Sequence, residues 1–186
     1  MIENEFKLML TEAQYKAVLE MYPRDEEIVQ TNYYYDTAEL SLSAEHITCR
    51  VREIAGEYFL QIKLPAGREY SRVELSEKLE GLPDDIAGSR LDKLAGEYRS
   101  DFPNVSKLGS LTTKRSVKHF PGGEIDIDES RYFGKTDYEI EIEFTDEKAA
   151  RKLLEDVRNL IGETTSESEV CTGKIHRFLD EFRRQN

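Results

Sequence analysis

Among its 186 residues the chain has no tryptophan, only five prolines, and only two cysteines, Cys49 and Cys171. With no C-x-x-C pair and no Cys/His spacing of a zinc site, a metal-stapled fold is excluded, and two ordinary thiols of a cytosolic protein are the simplest reading. His46, His119 and His176 form no ligand pattern with them. Basic residues are also scarce: 26 Lys and Arg stand against 38 Asp and Glu, a net charge of −12. That balance excludes a protein that coats nucleic acid through its phosphates, duplex DNA or RNA included. A phosphorylated small molecule is still permitted, because a local basic patch can coexist with a negative total. No apolar run approaches the ~20 residues of a membrane span, and the N-terminus lacks the basic and apolar segments of a signal peptide. The expectation is a soluble, cytoplasmic chain without membrane contact.

What the chain does have is charge, 34% of residues, and short alternating segments. Strands are expected at Ile2–Leu10, Ile28–Asp36, His46–Glu53, Glu57–Leu64, Tyr70–Ser76, Leu111–Phe120, Glu124–Asp128 and Tyr138–Phe144. Ile54-Ala55-Gly56 and Pro121-Gly122-Gly123 read as hairpin turns. Thr11 with Gln14 has the form of a capping box, opening a helix that Pro23 ends. Asp84–Tyr98 looks helical, with Ile86, Leu91, Leu94 and Ala95 on its buried side. Thr145 can cap a helix over 145–161, and Gly173–Phe182 a last short one. About eight strands with few helices favour a barrel or sandwich carrying helices outside.

Splitting each strand by parity sorts the charges. Glu3, Glu5 and Lys7 share one face of the first strand, and Ile2, Phe6 and Leu8 the other. Arg50 and Arg52 oppose Cys49 and Val51; Gln61 and Lys63 oppose Leu60 and Ile62; Arg72 and Glu74 oppose Val73 and Leu75. Glu124, Asp126 and Asp128 oppose Ile125 and Ile127, and Glu139, Glu141 and Glu143 oppose Ile140 and Ile142. A solvated sheet face alternates this way too. Such a face mixes its signs freely, however, whereas here acids gather on the first and last two strands and bases on the middle ones. Three glutamates on one face repel unless cations answer them. Helices packed on the apolar faces would turn the ionic faces inward around a polar cavity. Carboxylates at ~6.5–7 Å spacing along a strand suit a hard divalent cation, and Arg and Lys supply donors for a polyanion.

These residues, in this order, resemble the CYTH superfamily, the triphosphate tunnel metalloenzymes, and its small Firmicute-type members in particular. The resemblance rests on Glu3-x-Glu5-x-Lys7, Gln30-x-Asn32-x-Tyr34-x-Asp36-Thr37, Arg50-x-Arg52, Lys63, Arg115, Glu139-x-Glu141-x-Glu143 and Lys174-Ile175-His176-Arg177, and it spans nearly the whole chain. It implies one tunnel domain over residues 1–186: an eight-stranded antiparallel β-barrel with a charged interior and helices outside, α+β and mainly β. It implies Mg²⁺ or Mn²⁺ as cofactor, held by Glu3 and Glu5 with one or more of Glu139, Glu141 and Glu143. Lys7, Arg50, Arg52, Lys63, Arg72 and Arg115 would hold phosphate oxygens, and Lys174 would close one tunnel mouth while reaching the substrate. Glu5, Glu141, Lys7 and an acid on the penultimate strand would stand nearest the reaction. That acid is Asp126 or Asp128, with Asp128 favoured by its spacing to Tyr132. One departure is Thr113, which stands where many members have Lys, while Lys114 has outward parity.

The implied activity is metal-dependent hydrolysis of inorganic or organic triphosphate. A class IV adenylate cyclase, making cyclic AMP and pyrophosphate, uses the same tunnel, and a polyphosphate- or nucleotide-binding module without turnover would need the same walls. A carrier barrel for apolar molecules would need an apolar interior, against the pattern of charges.

Overall fold

A computed structural model describes residues 2–66, 71–162 and 173–185, with the side chains of Ile2, Glu3 and Ser71 outside the described set. Its elements run β1 (Ile2–Leu10), α1 (Glu12–Met21), β2 (Glu26–Asp36), α2 (Ser41–Ala44), β3 (Thr48–Ile54), β4 (Glu57–Pro65) and β5 (Ser71–Leu79). They continue β6 (Asp85–Ile86), α3 (Gly88–Ala95), β7 (Val105–Phe120), β8 (Gly123–Tyr132), β9 (Lys135–Phe144), α4 (Glu147–Ile161) and α5 (Lys174–Gln185). Every pairing is antiparallel, in the order β2-β3-β4-β5-β1-β9-β8-β7, and β7 pairs back onto β2 from Glu26↔Val117 to Asp36↔Ser106. Eight strands thus close a barrel, which removes the free edges an open sheet would expose. The two-residue β6 lies along the start of β7.

Local chemistry explains most element ends. The Thr11 hydroxyl accepts from the Gln14 backbone, and the Gln14 side chain accepts from Thr11 N at 2.8 Å, completing the expected capping box. At α4 the cap is Asp146, which accepts from Lys148 N and Ala149 N, rather than Thr145. Thr145 is drawn away because its N–H and hydroxyl both donate to Gly122 O, pinning the start of α4 to the β7–β8 turn. The expected helix over 84–98 begins only at Gly88, since Asp85 and Ile86 are taken by pairing with Ser106 and Val105. The strand expected from Tyr70 is described from Ser71; Tyr70 and Cys171 lie outside the described residues. A third hairpin, β8–β9, turns on Phe133 and Gly134 at φ 45° and 75°, a left-handed pair suited to a two-residue connection.

The apolar faces point outward under the helices. Leu8 and Leu10 of β1, Ile125 and Ile127 of β8 and Ile140 and Ile142 of β9 pack with Tyr15, Val18, Ala150, Leu154 and Val157 of α1 and α4. On the opposite side Cys49, Val51, Leu60, Ile62 and Val73 pack with Leu42, Leu91 and Ala95. Each Val, Leu and Ile among them contributes about 1.5–3 kcal/mol on burial, so the outer layers hold the barrel and release its interior from packing duty. A third cluster is internal: Tyr34, Leu111 and Tyr132 meet Phe178 and Leu179 of α5. The Phe178 ring lies tilted 4.8 Å from that of Tyr34 and 4.9 Å from that of Phe133, so α5 stops the barrel end that carries the β8–β9 turn. Gly109 permits this close approach, because a Cβ there would lie 3.0 Å from the tip of the Phe178 ring. Among the described residues no helix is long and apolar enough to cross a membrane.

Candidate functional site: the charged interior of the barrel

Strand register brings the acids together on one wall. Glu5 stands opposite Glu143, Lys7 opposite Glu141, Asp126 opposite Glu141 and Asp128 opposite Glu139. Three sets have carboxylate oxygens all within 4.8 Å of one another: Glu5, Glu141 and Glu143; Glu124, Asp126 and Glu143; Asp128, Glu139 and Glu141. Asp126, Asp128 and Glu139 are fully buried. The set named from the sequence is therefore assembled in space, apart from Glu3, whose side chain lies outside the described residues.

Bases are threaded through this wall. Lys7 pairs with Glu141 and, at 3.1 Å, with Glu5. Arg115 forks onto Asp128 at 2.9 and 2.7 Å, donates to Glu141 at 2.6 Å and touches Asp126. From α5, Lys174 reaches Glu139, Asp128 at 2.8 Å and Glu141 at 2.9 Å, and Arg177 holds Asp137 at 2.9 Å and Glu139. Burial works against every charge here, and the pairing decides which charges survive. For Lys7 it would lower the pKa, but Glu141 and Glu5 outweigh it and raise the ammonium above its usual range. For Glu141 and Asp128 burial pushes up, yet Lys7 and Arg115 for the first, and Arg115 and Lys174 for the second, hold each below the ordinary carboxylate range.

Burial wins at Lys174, whose ammonium it holds well below its usual range although Asp128 partly opposes, and it wins at Asp126. Burial raises its carboxyl to about 8, Arg115 only partly opposes, and Glu141 and Asp128 add to the rise. Neither of its oxygens accepts a hydrogen bond of sound geometry, despite the contact with Arg115. A buried acid short of counter-charge, with Glu124 and Glu143 within 4.8 Å, fits a hard divalent cation and its oxygen-ligand chemistry.

The facing wall, from β2 to β5, is cationic and amide-rich. Arg50 Nε donates to Gln61 Oε1 at 2.8 Å, Gln61 Nε2 donates to Glu74 at 2.8 Å, and Lys63 pairs with Glu74 at 2.8 Å. Burial tends to raise Glu74, but Lys63 and Arg50 bring it down to about 2. Arg52 differs from its neighbours: its Nε donates to Asn32 Oδ1 at 3.1 Å, and among the described residues no carboxylate lies within ion-pair distance. Burial, with Arg50 and Arg115 close by, lowers its pKa to about 9, so Arg52 stands among cations without a carboxylate of its own. Arg72 sits half-buried on β5, opposite the backbone of Glu3. Lys114 points out to Glu27 at 3.2 Å, in keeping with its parity, and Thr113 faces inward, fully buried on Ser130 at 3.0 Å.

Glu74, Gln61, Asn32 and Arg177 join this network without a role assigned to them from the sequence. Parity places the first three on the ionic face, but nothing in one strand says which side chain it meets across the sheet. Arg177 lies one helical turn from Lys174, a spacing that puts both on one face of α5.

Comparison with known proteins agrees with this architecture. The family model of the CYTH domain matches residues 1–171. The candidate triphosphatase YjbK of Bacillus subtilis (strain 168) is 33% identical over 191 residues, covering 98% of this chain and 97% of its own. Among solved structures, a Bacillus halodurans protein described as a candidate adenylate cyclase superposes with a TM-score of 0.75 at 22% identity, over 95% of this chain and 96% of its own. A Hippeastrum protein, described as a candidate adenylyl cyclase that reveals a dominant triphosphatase activity, gives 0.70 at 20% identity, over 97% and 95%. The acid and base walls, the strand order and these matches lead to one conclusion: the chain belongs to the CYTH domain family.

Proposed function

We propose that this chain hydrolyses a triphosphate with the help of Mg²⁺ or Mn²⁺ inside the barrel. One observation carries the reading: Arg52, with no carboxylate within ion-pair distance among the described residues, faces a wall where Glu5, Glu141 and Glu143 bring carboxylate oxygens within 4.8 Å of one another. A cation without a carboxylate of its own on one wall and clustered carboxylates on the other suit a polyanion bound together with a divalent cation. The candidate-triphosphatase name of the Bacillus subtilis relative supports the same reading.

Glu5, Glu141 and Glu143, with Asp126 beside them, are the residues that would hold the ion; Glu3 and Glu139 complete the set by their parity. A divalent cation held there supplies charge that offsets the phosphoryl oxygens and polarises them. The chain's own groups do the rest. Arg50, Arg52, Lys63 and Arg72 bind and orient the anion from β3 to β5. Lys7 and Arg115, already held by carboxylates, stay protonated and donate to oxygens on which negative charge builds. Lys174 arrives from α5, whose Phe178 excludes water from that end of the barrel. Asp128, locked by Arg115, acts by keeping that guanidinium in place.

Separating the products formed from ATP tests the reaction class. ADP with orthophosphate is the expected outcome; cyclic AMP with pyrophosphate would assign a cyclase instead. Ligand-dependent stabilisation of the fold with no product from any triphosphate would make the chain a binding module.

A further inference from the structure

Gln30 and Asn32 lie two residues apart on β2, facing the barrel interior at 3% and 1% exposure, and among the described residues neither side-chain nitrogen has a hydrogen-bond partner. Buried amide donors are nearly always satisfied, so two together require an explanation. The orientation of Asn32 is not arbitrary. Arg52 Nε–H can only donate, so the Asn32 atom at 3.1 Å is the carbonyl oxygen and Nδ2 must point elsewhere. Register sets Gln30 opposite Thr113 and Asn32 opposite Arg52. The Thr113 hydroxyl is occupied by Ser130, leaving two neutral amide donors at this stretch of wall beside the guanidinium of Arg52. Nη2 of Arg50, next but one along β3 from Arg52, has no hydrogen-bond partner among the described residues, only the charge of Glu74 at 3.6 Å.

We propose that the side-chain nitrogens of Gln30 and Asn32 are specificity determinants that donate to an internal phosphoryl unit of the substrate, and so select a triphosphate over a diphosphate. The inference rests on the triphosphate reading above and deepens it. An internal unit carries one negative charge, whereas a terminal unit carries up to two. Neutral donors satisfy the acceptor oxygens of the first without the excess charge that the second calls for. Pyrophosphate has two terminal units and no internal one, so it cannot use the amide pair. Asn32 has a second task, since its carbonyl fixes Arg52 with the guanidinium nitrogens left for the anion.

Calorimetry with inorganic triphosphate and with pyrophosphate, with Ca²⁺ present and again in EDTA, tests this on the full chain. Gln30→Met keeps the side chain's length and removes its donor. It is expected to weaken triphosphate binding about 10- to 100-fold, the range for a hydrogen bond to a charged acceptor, and to leave pyrophosphate within about twofold. Asn32→Asp, which keeps an acceptor for Arg52 but adds a negative charge, is expected to weaken both ligands, and triphosphate more than pyrophosphate. Thermal unfolding of the ligand-free chain adds a readout that a structural role would move the opposite way. Deleting an unsatisfied buried donor should hold or raise the Gln30→Met midpoint. Equal losses for both ligands, no loss for either, or a lowered midpoint in Gln30→Met overturns the proposal. If the wild-type chain binds triphosphate and Arg52→Gln binds it equally well, or if the wild-type chain binds neither ligand, the triphosphate site itself falls.

Discussion

Arg115 lies forked on Asp128 across the β7–β8 ladder, and the Nη2 that meets Asp128 at 2.7 Å also reaches Glu141 at 2.6 Å. One guanidinium therefore ties three strands of the acid wall, because β8 and β9 converge on a group from β7. Replacing it strands buried carboxylates without a partner. Arg115→Met is expected to destabilise the chain by about 3–5 kcal/mol in urea unfolding. A loss below about 1 kcal/mol would show that the acids do not depend on Arg115.

The position of Asp126 predicts a pH dependence with a definite sign. Its carboxyl is raised from an ordinary 3.8 to about 8 in the fold, chiefly by burial. The folded chain thus keeps a proton that the unfolded chain releases, and this contribution to stability is full below about pH 4 and lost as pH rises towards 8. In EDTA, unfolding free energy should fall between those values with a contribution of at most about 1.4 kcal/mol per pH unit from this group. Asp126→Asn should flatten the slope. Adding Mg²⁺ should raise the wild-type midpoint more at pH 9 than at pH 6, where the ion must displace the proton. A wild-type slope unchanged by Asp126→Asn contradicts the assignment.

The fit of α5 depends on Gly109. Its missing Cβ leaves room for Phe178, which is fully buried against Tyr34 and Phe133. Gly109→Ala should loosen α5 without unfolding the barrel. Hydrogen exchange would show this as faster exchange across 174–185, at least tenfold, with β8 and β9 unchanged. Uniform exchange in both chains would mean that α5 does not rest on this contact.

Cys49 is buried beneath α2 and α3, and burial, with the charge of Asp36, pushes its thiol well above the usual range. Its thiolate is therefore scarce as well as enclosed. In a Cys171→Ser chain, Ellman's reagent should find almost no thiol in buffer and one per chain in denaturant. Rapid labelling of the folded variant would place Cys49 in a far more open setting.

Parity alone made much of the site legible. Glu5, Lys7, Glu141 and Asp128 fall on the inward face because strands alternate strictly, and Ile140 and Ile142 go under α4 for the same reason. What alternation cannot encode is which face meets which across a closed barrel. The β2–β7 pairing fixes that, and its register shift at Tyr34/Tyr35 falls opposite Gly109, a glycine within β7 of the kind that marks a bulge. Glu74 binding Lys63 and Asn32 holding Arg52 follow from the registers of β4–β5 and β2–β3, and Arg177 reaching Asp137 from α5 docking. Asp146 displaces Thr145 as a cap for a similar reason, since a tertiary contact with Gly122 takes the threonine. The short β6 escaped notice because two residues carry no periodicity; only the facing β7 makes them a strand.

The central claim is that a charged barrel interior with a divalent ion cleaves a triphosphate, and phosphate release addresses it most directly. Inorganic triphosphate and a panel of organic triphosphates would be incubated with Mg²⁺ or Mn²⁺, using the wild-type chain and Glu5→Gln. The account predicts release by the wild-type chain that stops in EDTA and falls at least a hundredfold in Glu5→Gln, with the fold intact by thermal unfolding. No release from any triphosphate with either metal, or release that Glu5→Gln leaves unchanged, would contradict it.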